Sequence, residues 1–231
     1  MTPRLHITAE GKTEEGYAKR VLVPHLGSLG LNQVVVDVRS VKTGRKRGRD
    51  YRGGLLEYAK AKSDIVDWMK EDDNPDSFFT TMFDLYALPE DFPGYAGARR
   101  EVDPYRRVCL LEESLRDALK HPRFVPYIQL HEFEALILAA PQHLDWEYLE
   151  HEKAIANLVA LSNQKNPEEI NDRPESAPSK RIIAEIPEYE GQKAVVGPVV
   201  VEKIGLKVLR QRCRHFADWL ARLEALGAST T

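Results

Sequence analysis

Acidic side chains fall at three places where an apolar run stops. LHITAE ends at Glu10, with Gly11 next and Glu14 and Glu15 one helical turn on; SFFTTMFD ends at Asp84, with Asp91 further along the following loop; FVPYIQLH is followed at once by Glu132 and Glu134. Carboxylates accept hydrogen bonds, carry protons and bind hard cations through oxygen. Two of them about 4 Å apart repel by roughly 4 kcal/mol at an effective dielectric near 20, so a cluster needs a compensating charge. A divalent cation is the simplest one, and all-oxygen ligation favours magnesium, manganese or calcium over zinc. Each residue also has a structural alternative. Glu14 and Glu15 suit the positive end of a helix. Glu132 and Glu134 would point to opposite faces of a strand but diverge less on the first turn of a helix. Glu10 is harder to explain structurally, because the glycine after it lets backbone approach a ligand.

The elements that must position these groups follow from the apolar spacing. Leu5 to Thr8 reads as a strand, and Tyr17, Val21, Leu22, His25, Leu26 and Leu29 recur at helical spacing up to Gly30. VVVDVRSV, residues 34–41, is β-branched and predicts a second strand that completes a βαβ unit. A helix is expected over residues 55–69, ended by the acidic, Asn-Pro-containing EDDNPD, and SFFTTMFDLY gives a third strand. Asp103 and Pro104 have the chemistry of an N-cap and a first-turn residue. FVPYIQLH supplies a fourth strand. Beyond about residue 140 the pattern is helical, with segments at 146–161, around Ile182, at 199–209 and at 216–226. The expected fold is α/β: residues 1–140 form a largely parallel sheet of about four strands flanked by helices, and residues 141–231 a helical C-terminal extension packed on the same core. In a parallel sheet the carboxyl ends of the strands share one edge, where ligands bind, so the three acidic clusters should converge.

Composition narrows the class further. The 231 residues are 42% hydrophobic and 30% charged, and no apolar run approaches the roughly 20 residues of a membrane span. The start, MTPRLHIT, lacks the basic-then-apolar layout of a secretory signal, so a cytoplasmic location is expected. Cys109 and Cys213 stand far apart with no CxxC pairing and read as free thiols. A net charge of −3 gives no global attraction to nucleic acid, which leaves any such contact to a local patch. KTGRKRGRD is that patch: Lys42, Arg45, Lys46, Arg47 and Arg49 lie directly after the second strand. The segment is either a solvated loop or a phosphate-binding one, and it lacks the P-loop spacing. His6 reads as structural, His131 as a core residue or an acid/base group, and Trp68, Trp146 and Trp219 as core positions on helices.

EGKTEE, TTMFDLYALPEDFPGY, PYIQLHEFEALI and NDRPESAPSKRI occur in that order along nearly the whole chain. Together they resemble a Toprim-like bacterial family often associated with ATPases in phage-defence settings. More distantly, they resemble the Toprim fold of topoisomerases, bacterial primases and OLD-type nucleases. The resemblance implies a Mg2+- or Mn2+-dependent phosphodiesterase acting on DNA or RNA, with an ABC-type ATPase as a possible partner. Glu10 matches the Toprim glutamate after the first strand, Glu14 the second glutamate of OLD-like nucleases, and Asp84 the first aspartate of the DxD motif. Tyr86 stands where the second aspartate would be. Asp91, Glu132 or Glu134 would then supply the missing oxygen, or the site holds one metal, or activity has been lost. Lys180, in SAPSKRI, is a surface helix residue or the cation that stabilises a transition-state phosphorane. The alternative function is a non-catalytic sensor or adaptor that binds nucleotide or nucleic acid and acts through the ATPase.

Overall fold

A computed structural model describes residues 3–31, 33–37, 57–170 and 176–228. The basic segment carrying Lys42, Arg45, Lys46, Arg47 and Arg49 lies outside them. The chain begins with β1 (Arg4–Ala9) and turns into α1 (Lys12–Tyr17), which runs through a π-helical turn (Ala18–Leu22) into α2 (Val23–Ser28). Then come β2 (Gln33–Asp37), α3 (Tyr58–Glu71) and β3 (Ser77–Asp84). The short α4 (Tyr95–Ala98) leads to α5 (Pro104–Leu119), where Asp103 Oδ1 accepts from Tyr105 N at 2.8 Å and Arg106 N at 3.2 Å, the expected cap.

The sheet is parallel throughout, in the order β2-β1-β3 followed by β4 (Phe124–Val125), with β5 (Ile128–Gln129) pairing with β3 further along. The sequence predicts one strand over residues 124–131; instead Pro126, which has no N–H to give, splits it in two. Thr81 bridges the gap with its side chain, donating to Tyr127 O at 2.9 Å and accepting from Tyr127 N at 3.0 Å. β5 therefore still ends beside β3, with Asp84 level with Gln129.

Period-two burial sends alternate side chains to opposite faces. Leu5, Ile7, Met82 and Tyr127 face one core; Phe79, Phe83 and Ile128 face another, with Ile65, Trp68, Leu111 and Leu115 from α3 and α5. His6 sits in the second layer, 2.7 Å from Asp72 Oδ2 and stacked on Phe79, a structural role.

The remaining helices are α6 (Glu134–Ile137), α7 (Glu152–Gln164), α8 (Pro178–Glu185), α9 (Lys193–Arg212, broken at Gly205) and α10 (Arg214–Ala228). They complete the first core: Val200, Val201, Phe216, Trp219 and Leu220 join Leu5 and Ile7. Trp219 stacks on Tyr127 with centroids 4.1 Å apart and donates to Thr80 Oγ1 at 2.9 Å. α9 lies tight against α1, where a Cβ on Gly16 would meet Pro198 Cγ at 3.0 Å. Glu168 caps α10, accepting from His215 N at 2.9 Å and Phe216 N at 3.0 Å, and also from Tyr105 OH at 3.1 Å. Glu112 ties α5 to this corner, accepting from Ile128 N at 2.9 Å and facing His215 Nε2 at 2.9 Å.

Trp146 departs from expectation. Residues 141–146 form 3₁₀ turns ahead of α7, which leaves the indole 64% exposed, with Lys203 Nζ 4.1 Å from its centroid. Among the described residues no helix is long and apolar enough to cross a membrane.

Candidate metal centre at the sheet edge

The parallel register brings the ends of β1, β3 and β5 to one edge. There Glu10 N donates to Met82 O at 3.0 Å, and the Glu10 carboxylate turns back to accept from Asp84 N at 2.8 Å through Oε2. One side chain thus bridges two strand ends. On the first turn of α1, Glu14 is buried and its Oε2 accepts from Gly11 N at 2.9 Å. This is half of a capping box, with the carboxylate reaching back to the N-cap amide.

Gly11 has φ −146° and ψ −169°, an extended conformation open to any residue. Its lack of a side chain matters for a different reason than ligand approach: a Cβ would come within 3.1 Å of Glu14 Oε2. The glycine makes room for the carboxylate. Glu15, by contrast, turns outward to Lys12 at 2.8 Å and Lys19 at 2.6 Å, and these hold its carboxyl below its usual range.

After β5 the chain bends sharply. His131 is buried with φ 64°, a left-handed conformation uncommon for a residue other than glycine and costly wherever it occurs. Its carbonyl accepts from Tyr86 N at 3.0 Å, which pins the turn after Asp84 to the turn after β5. The bend delivers Glu132 and Glu134 from the start of α6. Glu132 Oε1 accepts from Ser179 N at the start of α8; Glu134 Oε1 accepts from Tyr189 OH at 3.2 Å and lies 3.7 Å from Lys193 Nζ.

Burial and mutual repulsion act on these groups together. Burial, then Glu14 and more weakly Glu132, raises Glu10 to about 8, against the pull of the Asp84 N–H. Burial raises Glu14 to about 7, opposed by main-chain N–H groups. Burial and then Glu132 raise Glu134 to about 7, opposed by Lys193. Asp84 is pushed well above the carboxylate range by burial and by Glu10, Glu14, Glu134 and Glu132 in turn. Its Oδ1 is buried without a hydrogen-bond partner. An orphaned acceptor among four other carboxylates is costly unless a cation meets it.

The donor chemistry fits a hard divalent ion. As the side chains stand, no three His, Cys, Asp or Glu among the described residues are grouped closely enough to hold a metal, so binding requires carboxylates to rotate inward. Five residues are thus brought to this edge: Glu10, Glu14, Asp84, Glu132 and Glu134. Asp91 is not; it is exposed, and its Oδ1 accepts from Tyr58 N at 3.2 Å at the start of α3. Lys180 is exposed and lines a groove between α7 and α8 with Asn157, Leu161 and Glu185, whereas the neighbouring Ser179 N–H touches Glu132. Tyr86 is 40% exposed, its ring tilted 34° to His131 with centroids 5.8 Å apart. Sequence reasoning missed Tyr189 and Lys193. Tyr189 lies in the turn before α9 and Lys193 at its start, both far from Glu134 in sequence, and only the path of the chain brings them in.

Residues 9–224 match the model of a family described as a domain of unknown function, DUF4276. No curated protein and no solved structure matches the chain.

Proposed function

We propose that the chain, which belongs to the DUF4276 family, is a divalent-metal-dependent phosphodiesterase acting on nucleic acid, with a Toprim-like site. The observation that carries this reading is the buried, unpartnered Asp84 Oδ1, with four other carboxylates near enough to act on Asp84 where the strands end. Magnesium or manganese at such a site polarises a phosphoryl oxygen and lowers the pKa of an attacking water.

The chain's own residues do the positioning. Main-chain N–H groups of Asp84, Gly11 and Ser179 each hold one oxygen of Glu10, Glu14 and Glu132, which tethers these carboxylates at the sheet edge and leaves their second oxygens to turn inward. Asp84 contributes the oxygen that nothing else uses. In the hydrolysis a water oxygen bonds to phosphorus, the ester P–O bond breaks, and the leaving alkoxide takes up a proton. β2 ends at this same edge, with Asp37 level with Thr8, and the sequence that follows it carries Lys42, Arg45, Lys46, Arg47 and Arg49. Those cations suit the phosphate backbone of DNA or RNA.

One observation favours a second reading. Tyr86 replaces the second Toprim aspartate, and the carboxylates do not enclose an ion as they stand. On that reading the chain is a sensor or adaptor that binds nucleotide or nucleic acid and works with an ABC-type ATPase in phage defence.

The test measures Mn2+ binding by electron paramagnetic resonance, together with hydrolysis of bis(4-nitrophenyl) phosphate and of single- and double-stranded oligonucleotides. Wild type should bind Mn2+ and cleave, and Asp84→Asn should lose both. Binding without cleavage selects the sensor. No saturable binding at millimolar Mn2+ ends the metal reading.

A further inference from the structure

Glu134 differs from the other carboxylates of the cluster in what holds it. Glu10, Glu14 and Glu132 are each held by a main-chain N–H. Glu134 meets a main-chain N–H too, its own, but it alone adds side-chain partners, since its Oε1 accepts from the Tyr189 hydroxyl at 3.2 Å and lies 3.7 Å from the Lys193 ammonium. That oxygen already faces a phenol donor and a full positive charge. Glu134 is buried, while the Lys193 side chain is 32% exposed, so the lysine reaches from the protein's edge inward to the cluster.

The surrounding packing is built to hold this contact. Gly197, one turn into α9, has no side chain, and a Cβ there would meet Tyr189 Oη at 3.2 Å, Phe133 at 3.3 Å and Thr13 at 3.3 Å. α9 can therefore lie close against both α1 and α6, with Tyr189 on Glu134 and Lys193 beside it. Among the described residues, Lys193 is the cation in contact with the cluster, whereas Lys180 lines the groove between α7 and α8.

We infer that Glu134 is a positioning residue and not a metal ligand, and that it holds the Lys193 ammonium at the mouth of the cluster to contact the phosphate of the substrate. The inference rests on the phosphodiesterase reading above and refines it. A carboxylate that neutralises part of the lysine's charge keeps the ammonium in place without filling its other donor positions, since an ammonium has three. The phosphate then meets a cation held beside Glu134, where charge develops as the ester bond breaks.

The test separates metal binding from anion binding. Mn2+ affinity is measured by electron paramagnetic resonance for wild type, Asp84→Asn, Glu134→Gln, Lys193→Ala and Lys193→Arg. The affinity of the Mn2+-loaded protein for inorganic phosphate is followed by 31P line broadening, and kcat by hydrolysis of bis(4-nitrophenyl) phosphate. Asp84→Asn should abolish saturable Mn2+ binding. Glu134→Gln and Lys193→Ala should keep it, with any loss below about 10-fold.

Lys193→Ala should weaken phosphate binding and lower kcat by about 100-fold, with partial rescue by Lys193→Arg. Glu134→Gln should cost about 10-fold in kcat. Combined with Lys193→Ala, it should add nothing further, because the two residues act as a unit. Loss of Mn2+ binding in Glu134→Gln as complete as in Asp84→Asn overturns the inference and leaves the metal reading standing. So does a Lys193→Ala variant with wild-type phosphate affinity. Retention of Mn2+ binding by Asp84→Asn overturns both. Glutamine keeps an acceptor for Tyr189, and Lys193 sits at an exposed helix start, so neither variant should impair folding; circular dichroism checks this.

Discussion

Glu10→Gln should stabilise the metal-free protein above neutral pH. In the folded chain Glu10 ionises at about 8 against an ordinary 4.5, pushed up by burial and then by the charge of Glu14. A carboxyl whose folded value lies above its unfolded one keeps its proton longer in the fold. Its contribution to stability is therefore intact below about pH 4.5 and is lost as pH climbs through about 8. A displacement of one pH unit is worth about 1.4 kcal/mol, which sets a ceiling on the order of 5 kcal/mol for this residue. Glu10 is partly open to water and shares its repulsion with Glu14 and Asp84, so one substitution should recover about 2 kcal/mol near pH 9. In a chain of this size that raises Tm by roughly 4–8 °C. Glutamine keeps an acceptor for Asp84 N, so the bridge between β1 and β3 survives. Differential scanning calorimetry in EDTA should give coincident melting for variant and wild type near pH 5 and a gap that widens towards pH 9. Millimolar Mg2+ should then reverse the order, because ligation stabilises the wild type by mass action and the variant lacks one ligand. Equal or lower Tm for Glu10→Gln at pH 9 in EDTA would refute the repulsion argument, and a wild type indifferent to Mg2+ would refute its compensation by a cation.

Three further outcomes follow from the packing. His215→Ala should destabilise the fold by about 3 kcal/mol, because Glu112 is left buried with only the Ile128 N–H and no ionic partner. Burial alone would lower the His215 pKa, but the Glu112 hydrogen bond and charge raise it, so the deficit read by denaturant titration should be largest at acid pH and shrink as pH rises through the raised value. Gly94→Ala should cost about 2 kcal/mol, since Gly94 has φ 77° and a Cβ there collides with Ser114 Oγ; chemical denaturation would show it as a lower midpoint. Trp219→Phe should lose about 1 kcal/mol with its hydrogen bond to Thr80 while keeping the stack on Tyr127, a difference visible in thermal melts.

Much of the sheet edge was legible because it depends on local chemistry. Apolar runs that stop at Glu10 and Asp84 read directly as strand ends, and the parallel register follows from helices lying between the strands. Asp103 and Pro104 announced α5 with equal clarity. What stayed hidden depends on the path of the chain between elements. Pro126 divides a strand that its apolar content alone would join, and Thr81 repairs it from 45 or so residues away in sequence, a partner no spacing rule supplies. Trp146 reads as core, yet the helix starts later, at Glu152, and the indole faces outward. Asp91 looked available to the site, but it caps α3 instead. Lys193 reaches Glu134 only because Gly16 and Gly197 let α9 settle against α1 and α6, and a small residue's value lies in the neighbour it admits.

The stacking of Trp219 on Tyr127, and its bond to Thr80 139 residues earlier, have a consequence for how the protein is made. During synthesis the strands and their acidic ends emerge first, but the cover over Tyr127 on this face stays incomplete until α10 supplies Phe216, Trp219 and Leu220. The nascent chain must leave part of that apolar face open for the time needed to translate from Tyr127 to the end of α10, at about 5–20 residues per second. A nascent chain stalled before Arg214 should therefore bind chaperone, and release it once the final helix can close over the sheet.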